Sequence, residues 1–238
     1  MSKNPPLVSY VIRTYNEAFW LETLLRIIYE IQSYQTVEVI LIDSGSTDET
    51  VAIAKDFPIR LFQIPKSEFN YSKTLNLGIE KAKGEYICIL SGHSLPTYPQ
   101  FLEHSVALLE QNPDLAAVTG YYTNPPDPRQ ALKTIRTTPT PKLKWESRCP
   151  WMTNTSALIR KALWKKYPFD QTLVDGCEDY DWALEMLALG YDVLKTSRFS
   201  VYHSHEHVPD HVSFAQRQKK WKPIIKAIDA FPRPRSNV

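Results

Sequence analysis

The stretch Val37–Thr50 reads Val-Glu-Val-Ile-Leu-Ile-Asp-Ser-Gly-Ser-Thr-Asp-Glu-Thr, and its reading decides the fold. Its opening run is apolar apart from Glu38, rich in β-branched residues and without helical period. That is the pattern of a strand buried on both faces of a parallel sheet. The run stops at Asp43. Ser44, Gly45 and Ser46 then form a turn, and Thr47 or Asp48 caps a helix continuing through Ala54. Ligands of open α/β sheets sit outside the carboxyl ends of the strands, which puts Asp43 where a ligand would be. Taken alone, an Asp at a strand end equally closes an Asx-turn, so the flanking sequence has to discriminate.

Working outward, strand and helix patterns alternate. Leu7–Ile12 is a strand, and Trp20, Leu21, Leu24, Leu25, Ile27, Ile28 and Ile31 recur at helical spacing. Ile59–Ile64 is a third strand, Thr74–Lys83 a helix ended by Gly84, and Tyr86–Leu90 a fourth strand. Pro99–Gln111 is a helix entered through proline, and Leu115–Tyr122 a fifth strand. This alternation predicts a mostly parallel sheet with helices on both faces. Regularity fails over residues 123–150, which hold six prolines and read as a structureless run, a functional lid or a disordered insert. Beyond it lie a strand and short helix over Trp151–Arg160, a strong helix over Glu178–Leu189 closed by Gly190, and short strands at Tyr191–Leu194 and Phe199–His203. A basic helix over Val212–Ala230 is interrupted at Pro223.

Composition bounds the class. The chain has 238 residues, 43% apolar and 23% charged, ordinary values for one globular α/β domain. The net charge of +2 is unevenly spread: His211–Val238 carries seven Lys/Arg against one acid, so the remainder is net negative. Cys88, Cys149 and Cys177 are odd in number and lack metal-ligand spacing, which points to a reducing cytosol. No signal peptide and no apolar run near eighteen residues is present, so a cytoplasmic location is expected. No nucleic-acid partner is expected.

Several short motifs now fall in order. Thr14-Tyr15-Asn16-Glu17 follows the first strand, and Asp43-Ser44-Gly45-Ser46-Thr47-Asp48 the second. Phe69 to Gly78 leads into a helix, Gly84-Glu85-Tyr86 opens the fourth strand, and Asn154–Arg160, Phe169-Asp170 and Glu178-Asp179-Tyr180-Asp181-Trp182 occupy the second half. In this combination, over roughly residues 7–207, the chain resembles the family 2 glycosyltransferases. The resemblance implies an α/β GT-A fold: a nucleotide-binding half over about 1–122, the proline-rich loop 123–150, and a smaller acceptor-side portion over 151–210. The basic helix and tail, 211–238, stand apart. It also implies an inverting enzyme, hexosyl- or deoxyhexosyltransferase, with a UDP- or dTDP-sugar donor and a hydroxyl on a glycan, lipid or small molecule as acceptor. Polysaccharide biosynthesis is the corresponding role.

Chemistry assigns candidate roles within that frame. The donor nucleotide falls to Thr14, Tyr15, Asn16, Glu17, Asp43, Ser44, Lys73, Asn76, Ser91 and Gly92: Tyr15 offers a face to the base, and Asp43 accepts from base N–H or ribose hydroxyls. Lys73, at the start of a helix, meets phosphate oxygens or is a solvated surface lysine. Asn76 reads as functional or structural. Asp179, with Glu178 second, is the candidate general base, because the reaction needs a carboxylate within reach of the attacking hydroxyl. Plain helix capping is the competing reading. Trp145, Trp151 and Asn154 are the acceptor candidates.

One departure matters. Where the family carries an Asp-x-Asp-type motif for Mg²⁺ or Mn²⁺, this chain has Leu90-Ser91-Gly92-His93-Ser94-Leu95-Pro96, without a carboxylate. His93 is the substitute ligand, joined by His203 or His205 from Val201-Tyr-His-Ser-His-Glu-His207, whose alternation puts the imidazoles on one side of an extended chain. Imidazole favours Mn²⁺ over Mg²⁺. A metal-independent enzyme using Lys73 or a base of the Arg129–Arg148 segment is the rival, and a silent nucleotide-sugar-binding protein of the same fold a second one. The lack of Gly-x-Gly-x-x-Gly after the first strand speaks against a dehydrogenase. The C-terminal helix either lies on the inner membrane face beside a lipid-linked acceptor or packs its apolar face on the body with its lysines in water.

Overall fold

A computed structural model describes residues 7–143, 145–146, 149–205 and 214–235. In chain order the elements are β1 (Val8–Thr14), α1 (Ala18–Arg26), β2 (Val37–Asp43), α2 (Thr50–Lys55), β3 (Arg60–Gln63), α3 (Tyr71–Lys81), β4 (Tyr86–Ser91), β5 (Ser94–Pro96) and α4 (Phe101–Gln111). They continue with β6 (Leu115–Thr119), β7 (Tyr122–Thr123), α5 (Pro128–Thr137), β8 (Trp145–Glu146), β9 (Ser156–Arg160), α6 (Lys161–Lys166), α7 (Glu178–Ala188), β10 (Asp192–Thr196), β11 (Val201–His203) and α8 (Phe214–Ala230). The main sheet runs β3-β2-β1-β4-β9-β6-β10-β8. Only β9 and β8 oppose the common direction, as their antiparallel pairings with β4, β6 and β10 require.

The apolar run in β2 is continuous because both faces are covered. Val39 and Leu41 join the core beneath α1 and α4, whereas Ile40 and Ile42 join the one beneath α3, α6 and α7. Cys88 and Leu90 against Ile87 and Ile89 divide β4 in the same way. Each strand thus removes nearly every side chain from water, and each buried methylene contributes about 0.8 kcal/mol. Helices on both faces of a mostly parallel sheet are as expected.

Chain order reverses beside β1: β2 and β3 lie on one side of it and β4 on the other. Such a switch point opens a crevice at the carboxyl ends of the strands. The register puts Thr14 beside Asp43 and Arg13 beside Ser91 at that edge.

Three differences from the sequence reading have physical causes. The helix expected to run to Ile31 ends in a π-helical turn over Ile27–Ile31, closed by the Gln32 N–H on the Ile27 carbonyl at 3.0 Å; the wider turn keeps Ile27, Ile28 and Ile31 all buried. The single strand expected over 115–122 is split. A Cβ on Gly120 would stand 1.7 Å from the Phe199 carbonyl oxygen, so the chain passes against that backbone and β7 joins a separate sheet, β5-β11-β7. Finally, the described residues of the 123–150 span are not structureless. Pro128 opens α5, whose Ala131 and Ile135, four apart, are fully buried, and β8 closes the far edge against β10.

Candidate active site

Two loops meet first. After β1, Asn16 adopts a left-handed conformation with φ of 52°. Its N–H donates to Ser46 Oγ at 2.8 Å, and its Oδ1 accepts from the Thr47 N–H at 2.7 Å. The Glu17 N–H reaches Thr50 Oγ1 at 2.7 Å and the Ala18 N–H reaches Asp48 Oδ2 at 3.1 Å. The Tyr-Asn-Glu and Asp-Ser-Gly-Ser-Thr-Asp motifs are therefore one laced unit. Asp43 is fully buried. Its Oδ2 accepts the Gly45 and Ser46 N–H groups, both at 3.1 Å, and its Oδ1 accepts the Ser46 hydroxyl and, at 3.4 Å, that of Thr14. The Asx-turn is thus present, with Gly45 at φ of 83°. Ser44 Oγ is buried with no hydrogen-bond partner among the described residues. Lys66, which no sequence pattern marked, donates to Tyr15 Oη at 2.7 Å and stands over the ring at 4.4 Å.

Across the crevice β4 ends at Ser91, and Gly92 turns the chain. A Cβ on Gly92 would meet Thr14 Cγ2 at 2.8 Å and Glu17 Cγ at 3.0 Å, so only glycine lets this turn lie flush on Glu17. His93 then faces Glu17, with Nδ1 2.5 Å from Oε1. The sequence grouped Glu17 with the donor nucleotide. Its carboxylate instead lies buried against the histidine, because α1 starts directly beneath the Gly92 turn.

The small sheet delivers the other imidazoles. β11 pairs with β5 so that His203 is opposite Ser94, and Ser94 Oγ is 3.1 Å from His203 Nδ1. Nε2 of His203 and Nε2 of His205 are 3.1 Å apart, and both rings lie under 5 Å from that of His93. One nitrogen from each of the three falls within 4.8 Å of the others. Nitrogens sharing an ion at about 2.0–2.1 Å stand roughly 3.0–3.4 Å apart, and His93 Nε2 is buried with no hydrogen-bond partner among the described residues. The donor set therefore fits a borderline divalent ion. His207 lies outside the described residues.

The acidic pair sits on the first turn of α7, after Gly176 and Cys177, both at positive φ. Asp179 Oδ2 accepts the Asn154 N–H at 3.0 Å and its Oδ1 accepts the Tyr180 N–H at 2.8 Å. Glu178 Oε1 accepts from Asn154 Nδ2 at 3.1 Å and lies 3.8 Å from the Arg13 guanidinium. Burial, and then the neighbouring Glu178 charge, push the Asp179 carboxyl up to about 7, although the residue keeps partial solvent access. Asn154 was read as an acceptor contact. It is buried, and its backbone and side chain hold the two carboxylates apart and oriented. Arg13 links the halves from the last turn of β1, under the Tyr71 ring at 5.1 Å. Sequence reasoning missed it, since one arginine before a recognised motif carries no spacing signal.

The remaining candidates divide. Asn76 is buried, with its amide committed to the acceptor-side half: Nδ2 donates to the Phe169 carbonyl at 2.8 Å, and Oδ1 accepts from Trp164 Nε1 and the Phe169 N–H. Those partners leave it the structural reading. Lys73 is half-exposed, 3.6 Å from Glu68, while its N–H is capped by Asn70, which starts α3 earlier than expected. Trp151 is 55% exposed and leans on Tyr180 at 4.7 Å. The Trp145 backbone forms the sheet-edge strand β8, and its side chain lies outside the described residues. The C-terminal helix packs on the body: Ile224, Ile225, Ile228 and Trp221 cluster with Tyr180 and Cys177, leaving Lys219, Lys220, Lys222 and Lys226 in water. Among the described residues no helix is long and apolar enough to cross a membrane.

The sheet, its switch-point crevice and the flanking helices define a GT-A glycosyltransferase fold. Solved structures of that type superpose on it. The mannosyltransferase PcManGT from Pyrobaculum calidifontis, in complex with GDP-Man and Mn²⁺, covers 98% of this chain with a TM-score of 0.71 at 23% identity, over 67% of its own chain. Staphylococcus aureus TarS 1-349 in complex with UDP-GlcNAc covers 93% of this chain with a TM-score of 0.65 at 16% identity, over 65% of its own chain. The sequence profile of Glycosyl transferase family 2 matches residues 9–167, and the chain belongs to that family. Among curated relatives, an uncharacterized glycosyltransferase of Rickettsia typhi is 30% identical over 214 residues, 84% of this chain and 62% of the relative. The O-antigen chain rhamnosyltransferase RfbN of Salmonella typhimurium is 27% identical over 217 residues, 85% of this chain and 68% of the relative. A Rickettsia prowazekii relative is matched over 36% of its length, so the chain spans one to two thirds of the first curated relatives.

Proposed function

We propose that the chain is an inverting glycosyltransferase, moving a hexosyl or deoxyhexosyl group from a UDP- or dTDP-sugar to a glycan or lipid-linked hydroxyl in polysaccharide assembly. One observation carries this reading: a carboxylate raised to about 7 shares the sheet's carboxyl edge with three converging imidazoles. A base is most effective when its pKa lies near the working pH. The acceptor oxygen forms a bond to the anomeric carbon, the bond to the diphosphate breaks on the opposite face, and the acceptor proton passes to Asp179. Asn154 keeps that carboxylate aimed, and Glu178, held by Arg13, keeps its affinity for the proton high.

Donor recognition falls to the laced loops, with Tyr15, Ser44 and the Asp43 turn at the base and ribose, and Ser91 at the end of β4. His93, His203 and His205 would hold a divalent ion, Mn²⁺ in preference to Mg²⁺ given all-nitrogen ligation. Such an ion would supply charge neutralisation for the leaving diphosphate. Trp151, exposed above Tyr180, offers an aromatic face to a sugar acceptor. The relative named as an O-antigen rhamnosyltransferase supports the deoxyhexosyl option and the glycan acceptor. A silent nucleotide-sugar-binding protein of the same fold would instead bind nucleotide without transfer under any divalent ion. A cytoplasmic site at the inner membrane face suits a lipid-linked acceptor.

The test is incubation with UDP- and dTDP-sugars and a hydroxyl acceptor in Mn²⁺, with NMR of the product anomer. Inverted product is expected; retained configuration, or no transfer from any nucleotide sugar, overturns the reading.

A further inference from the structure

The Glu17 carboxylate does something that its place in the Tyr-Asn-Glu motif does not explain. Its side chain is 6% exposed and that of His93 10% exposed. It caps nothing, although it stands at the N-terminal boundary of α1. Its Oε1 is 2.5 Å from His93 Nδ1. An ionised carboxylate only accepts, so the proton in that contact resides on Nδ1. The Nε2 lone pair is then bare; that nitrogen is buried without a hydrogen-bond partner among the described residues, on a ring that gathers with those of His203 and His205. His203 is held likewise, its Nδ1 against Ser94 Oγ at 3.1 Å. Backbone fixes Glu17 in turn, through Thr50 and through the Gly92 contact that any side chain at 92 would push away.

We propose that Glu17 is a positioning residue for a divalent cation: it fixes the His93 tautomer, aims Nε2 at the ion, and supplies beside the imidazoles the negative charge that this chain lacks at the end of β4. This rests on the assignment of the histidines as the metal site. Carboxylate partners of this kind raise the basicity of a ligating histidine, and their loss typically costs 10–100-fold in metal affinity. Neutral imidazoles alone leave a dication uncompensated where a diphosphate must also bind and leave. A buried carboxylate on the far side of the ring moderates that charge without occupying a coordination position.

The experiment is a Mn²⁺ titration of the full chain without nucleotide, read by the loss of the free-ion EPR signal, for wild type, Glu17→Gln, Glu17→Ala and His93→Ala. Glu17→Ala should weaken Mn²⁺ binding by roughly 10–100-fold. Glu17→Gln, nearly isosteric, should fall between it and wild type, since its amide oxygen still accepts from Nδ1 but carries no charge. If Glu17→Ala does not fold, Glu17→Gln carries the comparison alone. Wild-type affinity in Glu17→Gln, or no Mn²⁺ binding by the wild type, overturns the proposal. The readout involves no sugar transfer, so a failed transferase reading would show as normal metal binding without product.

Discussion

The C-terminal residues hold α7 by a contact whose removal has a calculable consequence. Asp181 and Glu185 lie one turn apart on α7 with side chains 0% exposed. Arg233 reaches both, at 2.6 Å to Asp181 Oδ1 and 3.1 Å to Glu185 Oε2, and donates also to the Asp181 carbonyl at 3.1 Å. Its own side chain is 10% exposed. Removing one partner of a buried pair strands the other charge and costs about 3–5 kcal/mol. Arg235 continues to pair with Asp181, which puts Arg233→Met at the lower end of that range. For a domain of this size about 1 kcal/mol moves Tm by roughly 2–4 °C, so a fall of about 6–12 °C is expected in a thermal melt. Lys220 and Asp175 provide the internal comparison: they are as close, at 2.7 Å, but 57% and 47% exposed, and Lys220→Met should leave Tm nearly unchanged. Equal losses in the two variants would refute the argument that burial, not proximity, sets the value of these pairs.

The remaining predictions concern the site. Transfer should depend on pH with an apparent pKa near 7, rising as Asp179 deprotonates, and Glu178→Gln should move that limb to lower pH in a rate profile. Because burial holds the folded pKa above the ordinary carboxylate range, the stability Asp179 contributes is full below about pH 4 and lost as pH rises through 7. Asp179→Asn should therefore raise Tm more at pH 8 than at pH 5 in paired melts. Trp151→Ala should change Tm little, since the ring is 55% exposed, while raising KM for the acceptor and leaving that for the donor unchanged in steady-state kinetics.

Much of this architecture was legible because burial on two faces writes itself into sequence. β2 and β4 announced themselves as unbroken apolar runs, and the abrupt stop at Asp43 located the crevice. The three histidines were legible through chemistry: an absent acid left a vacancy for His93, and the alternation at His203 and His205 offered matching ligands. What stayed hidden depends on long-range packing. Asn154 looks like a ligand contact in sequence and Asn76 like either a contact or a structural residue, yet their partners, Phe169, Trp164 and the acidic pair, lie far along the chain and appear only once the halves fold together. Glu17 belonged to a recognised motif, and only the turn at Gly92 reveals that it faces a histidine. The α5 helix escaped notice because its prolines and bases mask a buried stripe of Ala131 and Ile135.

Asp179→Asn tests the central claim most directly, measured side by side for sugar transfer and for calorimetric binding of the UDP- or dTDP-sugar. The amide keeps the shape and, through its one acceptor oxygen, a single one of the Asn154 and Tyr180 N–H contacts, while losing the ability to take a proton. Transfer should fall by about 10²–10⁴-fold, the usual contribution of a general base, with donor affinity unchanged. Turnover near the wild-type rate would contradict the assignment of Asp179 as the base.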